Sequence, residues 1–418
     1  MILGAIADDL TGATDLALML TRGGMRVLQV VGVPHPDADF DDADAVIVSL
    51  KSRTIPAPEA QAMSVSAAKV LLAKGARQLL FKYCSTFDST DEGNIGPVTD
   101  ALLDLLGDTR TLACPAFPTN KRTVYKGHLF VGDVLLSDSP MRDHPLTPMR
   151  DGNLVRVLAR QTNRPVSLID HDIVRRGSEA VRESFASLEG IAIVDAISNE
   201  DLYEIGAASM DLRLITGGSG IAMGLPEAYH RRGLLALVPV EASLEAPAGR
   251  NAVLAGSCSA ATRRQIEYGR AQGMPALKIE AAQITDGTFS VEAAADFAER
   301  ETGALPPLIY SSADSETVRA VQQALGAEEA GELVERFMGE LARTLARRGF
   351  TRFLIAGGET SGAVIRDLGV TTLQIGPEID PGVPWTISTG SGPELALALK
   401  SGNFGADDFF VKAWERLK

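Results

Sequence analysis

The sequence predicts an α/β protein of two domains, each a mainly parallel sheet flanked by helices. Three observations carry that prediction. Short apolar or β-branched runs alternate with helix-period stretches along the whole chain, the pattern of parallel strands joined by crossover helices. A Pro- and Gly-containing stretch without periodicity, 241–249, interrupts the alternation and is followed at once by a fresh strand. The length of 418 residues with 45% hydrophobic side chains is enough for two buried cores.

Taken in order, strands are expected at 2–7, 26–31, 45–50, 78–82, 111–113, 166–169, 191–194 and 212–216. After the break they resume at 252–255, 276–279, 307–310, 352–356, 372–375 and 386–388. The clearest helix is 332–348, where Val334, Phe337, Met338, Leu341 and Leu345 recur at spacings of three and four opposite a Glu- and Arg-rich face. Domains are therefore expected at 1–240 and 250–418, with 241–249 as linker. The segment 115–149, rich in Pro, Gly, Thr and charge, reads as a long irregular insertion of functional or mobile character.

The charge balance narrows the partners. Forty Lys and Arg against 54 Asp and Glu leave a net charge of −14, so a general nucleic-acid binder would work against its own field. Cys84, Cys114 and Cys258 are odd in number and far apart, which supports neither a disulfide framework nor a zinc knuckle. The first residues reach Asp8 and Asp9 without a basic region or a long apolar core, and the apolar run 234–240 is far short of the ~20 residues a membrane span needs. A cytoplasmic protein with no membrane partner is expected; a homodimer is compatible with the sequence.

In parallel α/β sheets ligands bind at the carboxyl ends of strands, so the residues just past each strand are the informative ones. The first strand runs into Asp8-Asp9-Leu10-Thr11-Gly12, two carboxylates and then a helix start whose free N–H groups suit an anion. The strand 78–82 ends on Lys82 and is succeeded by Ser85 and Thr86, a cation and short hydroxyls suited to a carboxylate or phosphate. Arg53, after the strand 45–50, offers a fork-shaped partner for a carboxylate. N-caps, turns and structural salt bridges are the plain alternatives at each of these positions.

The second domain gathers Gly/Ser/Thr loops: Gly256-Ser257, then Gly357-Gly358-Glu359-Thr360-Ser361-Gly362, then Gly390, then Gly402. The 40 glycines exceed the roughly 29 that average usage would give, and these loops hold part of the excess. Loops without Cβ atoms let backbone amides approach a polyphosphate, which points to a nucleotide. No G-x-x-x-x-G-K-[ST] loop and no protein-kinase motif set is present. The glycine-rich stretch 218–224 reads as a turn opening a helix rather than a dinucleotide fingerprint, since it sits late in its domain. The five histidines lack metal spacing; His128 and His144 read as locally satisfied or, less favourably, as substrate contacts.

Asp8-Asp9-Leu10-Thr11-Gly12, Lys82 with Ser85-Thr86, Gly93-Asn94-Ile95-Gly96, Gly357-Gly358-Glu359-Thr360 and Lys400-Ser401-Gly402-Asn403-Phe404-Gly405, in that order over nearly the whole chain, resemble the four-carbon acid sugar kinases. The resemblance implies an N-terminal sugar-acid domain, a C-terminal ATP domain, an active site in the cleft between them, and ATP with Mg²⁺ as the phosphoryl donor. It implies transfer to the 4-hydroxyl of a four-carbon sugar acid. A 3-oxo-tetronate is favoured over threonate or erythronate, because Cys84 stands where those relatives tend to carry an acidic residue. Asp8, Asp9, Thr11, Arg53, Lys82, Ser85 and Thr86 would line the acid side. The donor loops are Gly256-Ser257, 357–362, Gly390 and Gly402. Asp8 or Asp9 would orient or deprotonate the hydroxyl, and Arg53 or Lys82 would dock the carboxylate. A dehydrogenase, an exported solute-binding protein and a non-catalytic sugar-acid sensor are the competing classes.

Overall fold

The computed structural model describes residues 1–40, 42–144, 146–236, 245–311, 327–390 and 392–417. They fall into two compact units, Met1–Val240 and Glu241–Lys418. Of the expected linker, residues 241–244 lie outside the described residues, as do 237–240 of the apolar run before it.

The N-terminal unit is built on β1 (Leu3–Ala7), β2 (Val27–Val31), β3 (Ala45–Ser49), β4 (Gln78–Lys82), β5 (Arg110–Cys114), β6 (Arg122–Tyr125), β7 (His128–Val131), β8 (Val134–Leu135), β9 (Val166–Ile169), β10 (Gly190–Val194) and β11 (Leu214–Gly217). Eight of these form a parallel sheet in the order β2-β3-β1-β4-β11-β5-β10-β9. β1, β3 and β4 are buried along their whole length, which is why they read as continuous apolar runs rather than alternating ones. After β1 the chain moves to one side, to β2 and β3; after β3 it crosses over to β4 on the other. The carboxyl ends of β1 and β4 therefore border a topological switch point, where an open α/β sheet leaves its ligand crevice.

The C-terminal unit contains β12 (Arg250–Ala255), β13 (Ala276–Lys278), β14 (Leu308–Tyr310), β15 (Phe350–Ala356), β16 (Thr372–Asp380), β17 (Val383–Thr389) and β18 (Ala396–Lys400). Their order is β13-β14-β12-β15-β18-β17-β16, with the first five parallel and β17 antiparallel to both of its neighbours, β18 and β16. The first four strands in sequence repeat the arrangement of the other unit, so a second switch point lies between β12 and β15. The expected amphipathic helix is present as Ala327–Arg347, and it buries Phe337, Met338, Leu341 and Leu345 completely or nearly so. Each such side chain contributes about 1.5–3 kcal/mol of transfer free energy.

Three features depart from the expected pattern. The segment read as irregular holds a three-stranded antiparallel sheet, β6-β7-β8, with short 3₁₀ turns between its strands and the next helix. Its first hairpin turns on Lys126 and Gly127, both at positive φ (49° and 73°), the turn geometry that suits hairpin twist. His128 and His144 are satisfied within this segment, by the carbonyl of Lys126 at 2.9 Å and the hydroxyl of Thr147 at 2.9 Å. β18 was not expected, since Ala-Leu-Ala-Leu has more helix than strand propensity. β17 runs antiparallel to β18, with consequences for Gly390.

Candidate active site

At the switch point of the N-terminal unit, β1 delivers Asp8 and Asp9, β4 delivers Lys82, and the loop after β3 delivers Arg53. The sheet register fixes this meeting, because Ala7 pairs with both Ser49 and Lys82. Asp8 is 5% exposed, and both its oxygens accept from Arg53, from Nε and Nη2, each at 2.8 Å. Such a planar fork makes Asp8 the bidentate partner of the guanidinium. Arg53 also meets Asp9 Oδ1 at 2.8 Å and Asp88 Oδ2 at 3.6 Å.

Asp9 differs from its neighbour. Its side chain is 29% exposed, it accepts from the Thr11 hydroxyl at 3.0 Å, and the Lys82 ammonium lies 3.7 Å from Oδ1. It stands at the N-cap of the helix Leu10–Arg22 but makes no capping hydrogen bond. Burial pushes its carboxyl up, yet the charges of Arg53 and Lys82 outweigh that and hold it well below the usual carboxylate range. For Asp8 burial prevails over Arg53, and the shift is upward. The sequence left the two aspartates equivalent. The structure separates them into an inward anchor, Asp8, and an ionised carboxylate with access to solvent, Asp9.

The other N-terminal candidates also divide. Ser85 is half-buried, and its hydroxyl makes no hydrogen bond among the described residues. Thr86 is turned inward, 5% exposed, and donates to Asp88 at 2.5 Å. Between them and Asp88, Phe87 is buried with φ of 55°, an uncommon conformation held by edge-to-face packing on Tyr83 at 5.4 Å. Gly12 is required sterically, since a Cβ there would overlap Lys82 Nζ and Asp9 Oδ1. The Cys84 thiol, pushed up to about 12 by burial, is not a nucleophile at neutral pH.

In the C-terminal unit the loops after β12, β15 and β18 meet. Gly256 and Ser257 donate their backbone N–H groups to Ala356, and Gly357 donates to the Lys400 carbonyl at 2.8 Å. These amides are spent on the sheet. The two glycines act instead by lacking Cβ, because a methyl on either would run into the Thr360 hydroxyl. Gly357 also has φ of 131°, a conformation reserved for glycine. The helix Gly358–Asp367 starts here, and the N–H groups of residues 358–360 precede its first internal bond. Gly402 packs against Ser257, whose Oγ would lie 2.6 Å from an added Cβ. The backbone N–H groups of Cys258, Gly402 and Asn403 bond to nothing among the described residues. Glu359 is exposed in the first turn of the helix, Ser361 is buried within it, and Gly362 is half-buried with open space at its Cα.

Gly390 is not brought to this place. β17 is antiparallel to β18, so its carboxyl end lies beside the start of β18, at the opposite edge of the sheet from Lys400. About four strand residues, roughly 13 Å, separate those edges. Gly390 has φ of 104° and packs near Thr372, and it serves the turn between β17 and β18.

A family model described as a sugar-binding N-terminal domain matches residues 3–225, and one described as a nucleotide-binding C-terminal domain matches 252–410. The 3-oxo-tetronate kinases of Burkholderia multivorans and Pseudomonas fluorescens are 55% and 54% identical, over 100% of this chain and 97% of each relative. The chain belongs to the four-carbon acid sugar kinase family. Among solved structures, a Salmonella typhimurium LT2 protein given a provisional tRNA synthase label superposes with a TM-score of 0.89 at 41% identity, covering 100% of this chain and 99% of that one. A Haemophilus influenzae protein gives 0.80 at 39% identity, covering 99% of this chain and 100% of that one.

Several residues of this four-carbon acid sugar kinase family member were not singled out by sequence. Asn94 Nδ2 donates to the carbonyls of Ser52, Arg53 and Ile55, between 2.8 and 3.2 Å, and so holds the Arg53 loop. Gln161 donates to Ser89 Oγ at 2.9 Å and to the Thr90 carbonyl at 2.6 Å, fixing the far end of the Lys82 loop. Asp88 closes the Arg53 cluster. The available signal was Asn94 itself, inside the Gly93-Asn94-Ile95-Gly96 motif. Among the described residues no helix is long and apolar enough to cross a membrane.

Proposed function

We propose that this chain transfers the γ-phosphoryl group of ATP to the 4-hydroxyl of 3-oxo-tetronate, giving the 4-phosphate and ADP. The observation that carries the reading is the pairing of an accessible, ionised Asp9 with the Lys82 ammonium at the first switch point, while at the second the N–H groups of Cys258, Gly402 and Asn403 bond to nothing among the described residues. The similarity to the 3-oxo-tetronate kinases of Burkholderia multivorans and Pseudomonas fluorescens supports the choice of acid.

In this reading Lys82 and the Ser85 hydroxyl hold the acid. Arg53, held among Asp8, Asp9 and Asp88, positions Asp9 rather than docking the carboxylate. Asp9 accepts the hydrogen bond of the 4-hydroxyl and aims its oxygen at the γ-phosphorus. The new O–P bond forms as the bond to the β-phosphate oxygen breaks, and ADP carries away that electron pair. The hydroxyl proton passes to Asp9 late, once the oxygen has begun to bond. A weakly basic carboxylate suffices, because the transition state is loose and demands orientation more than deprotonation. The N–H groups of residues 358–360, Cys258, Gly402 and Asn403 take the phosphate oxygens.

Among the described residues no group of three or more His, Cys, Asp or Glu side chains is arranged to hold a metal ion. Glu359, the carboxylate in the first turn of the helix after β15, would be a single protein ligand for Mg²⁺ carried on the nucleotide's own phosphates with water. The ion would neutralise phosphate charge. A nucleic-acid substrate is disfavoured by the net charge of −14.

An ADP-release assay over a panel of four-carbon acids, with ³¹P NMR of the product, tests the reading. ADP release with 3-oxo-tetronate and one new phosphomonoester resonance is expected. ADP release with none of the acids refutes it, and preference for threonate or erythronate refutes the choice of acid.

A further inference from the structure

Lys400 ends β18, and its side chain has no exposed surface. A buried ammonium is normally paired with a carboxylate. This one has no ion pair among the described residues. Its three protons go instead to Thr262 Oγ1 at 3.1 Å, the Ser401 carbonyl at 3.0 Å and the Gly402 carbonyl at 2.9 Å. The same Gly402 carbonyl accepts from Ser259 Oγ and, at 3.1 Å, from Thr262 Oγ1. Three donors thus converge on one peptide oxygen. A peptide whose carbonyl is held inward presents the following N–H on its other side, and that N–H belongs to Asn403, which bonds to nothing among the described residues.

We propose that Lys400 is the positioning residue of the nucleotide site: it draws the Ser401 and Gly402 carbonyls inward, leaves the loop's N–H groups to the phosphates, and places one uncompensated positive charge beneath them. The proposal rests on the nucleotide-binding reading of this unit and deepens it. A backbone carbonyl tied to an ammonium cannot turn outward, where its partial negative charge would repel a phosphate. The ammonium lacks a counter-ion within the protein, so a bound polyphosphate supplies one. The surroundings agree: burial lowers this lysine to about 7, with no charged group among the described residues acting on it from Thr262 and its helix, from β15 and β17 on either side, or from its own loop. Nucleotide binding should therefore be tighter where Lys400 is protonated, and binding should favour that form.

The test is calorimetric titration of the full chain with MgATP at pH 7.5 and pH 9.0, on wild type, Lys400→Met and Thr262→Val, with tryptophan near-UV circular dichroism as the check on folding. Methionine keeps the volume and removes the donors. Lys400→Met is expected to raise the ATP Kd at least tenfold while the KM for the sugar acid stays within twofold. Thr262→Val, which keeps the ammonium, should raise the Kd severalfold. Wild-type affinity should fall by up to about tenfold per pH unit over this range, since free Lys400 loses its proton first. If Lys400→Met does not fold, the Thr262→Val and pH arms decide. ATP binding within twofold of wild type in folded Lys400→Met overturns the proposal, as does unchanged affinity in both Thr262→Val and the pH arm. Wild type that binds no ATP in the same titration refutes the nucleotide reading itself.

Discussion

Replacing Gly12 with alanine puts a methyl group where the Lys82 ammonium and the Asp9 carboxylate already stand. The atoms in conflict belong to side chains, so the helix Leu10–Arg22 can form as before. In a helix interior alanine even gains about 1 kcal/mol over glycine. What must give is the ion pair. Lys82 and Asp9 lie 3.7 Å apart. At an effective dielectric constant of about 20 that separation corresponds to about 4 kcal/mol. Asp9 is partly open to water, which reduces the figure to about 2–4 kcal/mol. Losing that alignment in the transition state lowers kcat/KM for 3-oxo-tetronate by about thirtyfold to a thousandfold. The assay is steady-state ADP release against the acid, with MgATP saturating and a thermal melt of the same preparation. A Gly12→Ala protein with wild-type kcat/KM and wild-type stability would refute the assignment of Lys82 and Asp9 as a matched pair.

The two aspartates should fail differently. Asp9→Asn lowers kcat by about 10²–10³-fold with little change in melting temperature. Asp8→Asn removes the bidentate partner of Arg53, leaving Asp9 and Asp88 beside it, and costs about 2–4 kcal/mol of stability, read by urea denaturation. For Lys400 the sign is set by a lowered folded value. Unfolded lysine keeps its proton to about 10.4 and folded Lys400 loses it near 7, so wild type gains stability over Lys400→Met as pH rises between those values, by about 1.4 kcal/mol per unit. Paired denaturation curves at pH 7 and 9 check it. N-ethylmaleimide should label Cys258 alone in the folded protein, since burial pushes Cys84 and Cys114 up to about 12, and MgATP should slow that labelling. Mass spectrometry of tryptic peptides reads both outcomes.

Much of this was legible because parallel sheets concentrate chemistry at one edge. A run such as 78–82 marks a strand, and the polar residues after it must then lie at the carboxyl edge, which is how Lys82, Asp9 and Gly357 could be named. Pairings between distant segments were not legible. Nothing local tells Arg53 that its fork belongs to Asp8, 45 residues earlier, so it read as a substrate ligand. Strand direction was equally hidden. Gly390 comes after a strand just as Gly357 does, but β17 runs the other way and carries it to the far edge. The hairpin β6-β7 carries no local signal because its turn is Lys-Gly rather than Asn-Gly, and β18 carries none because alanine and leucine do not favour an extended chain.

The repeated strand order, with one switch point in each unit, makes acceptor choice and donor chemistry separable in heredity under the proposed reading. In the proposed reading, a change in the loop 83–92 alters which acid is held without touching the loops proposed to receive ATP, and the reverse is true of the loops 256–259 and 401–405. The buried strands beneath are shielded from both kinds of change. Within such a frame new acid specificities can arise by substitution at a handful of loop positions, each tested against an unaltered phosphoryl donor.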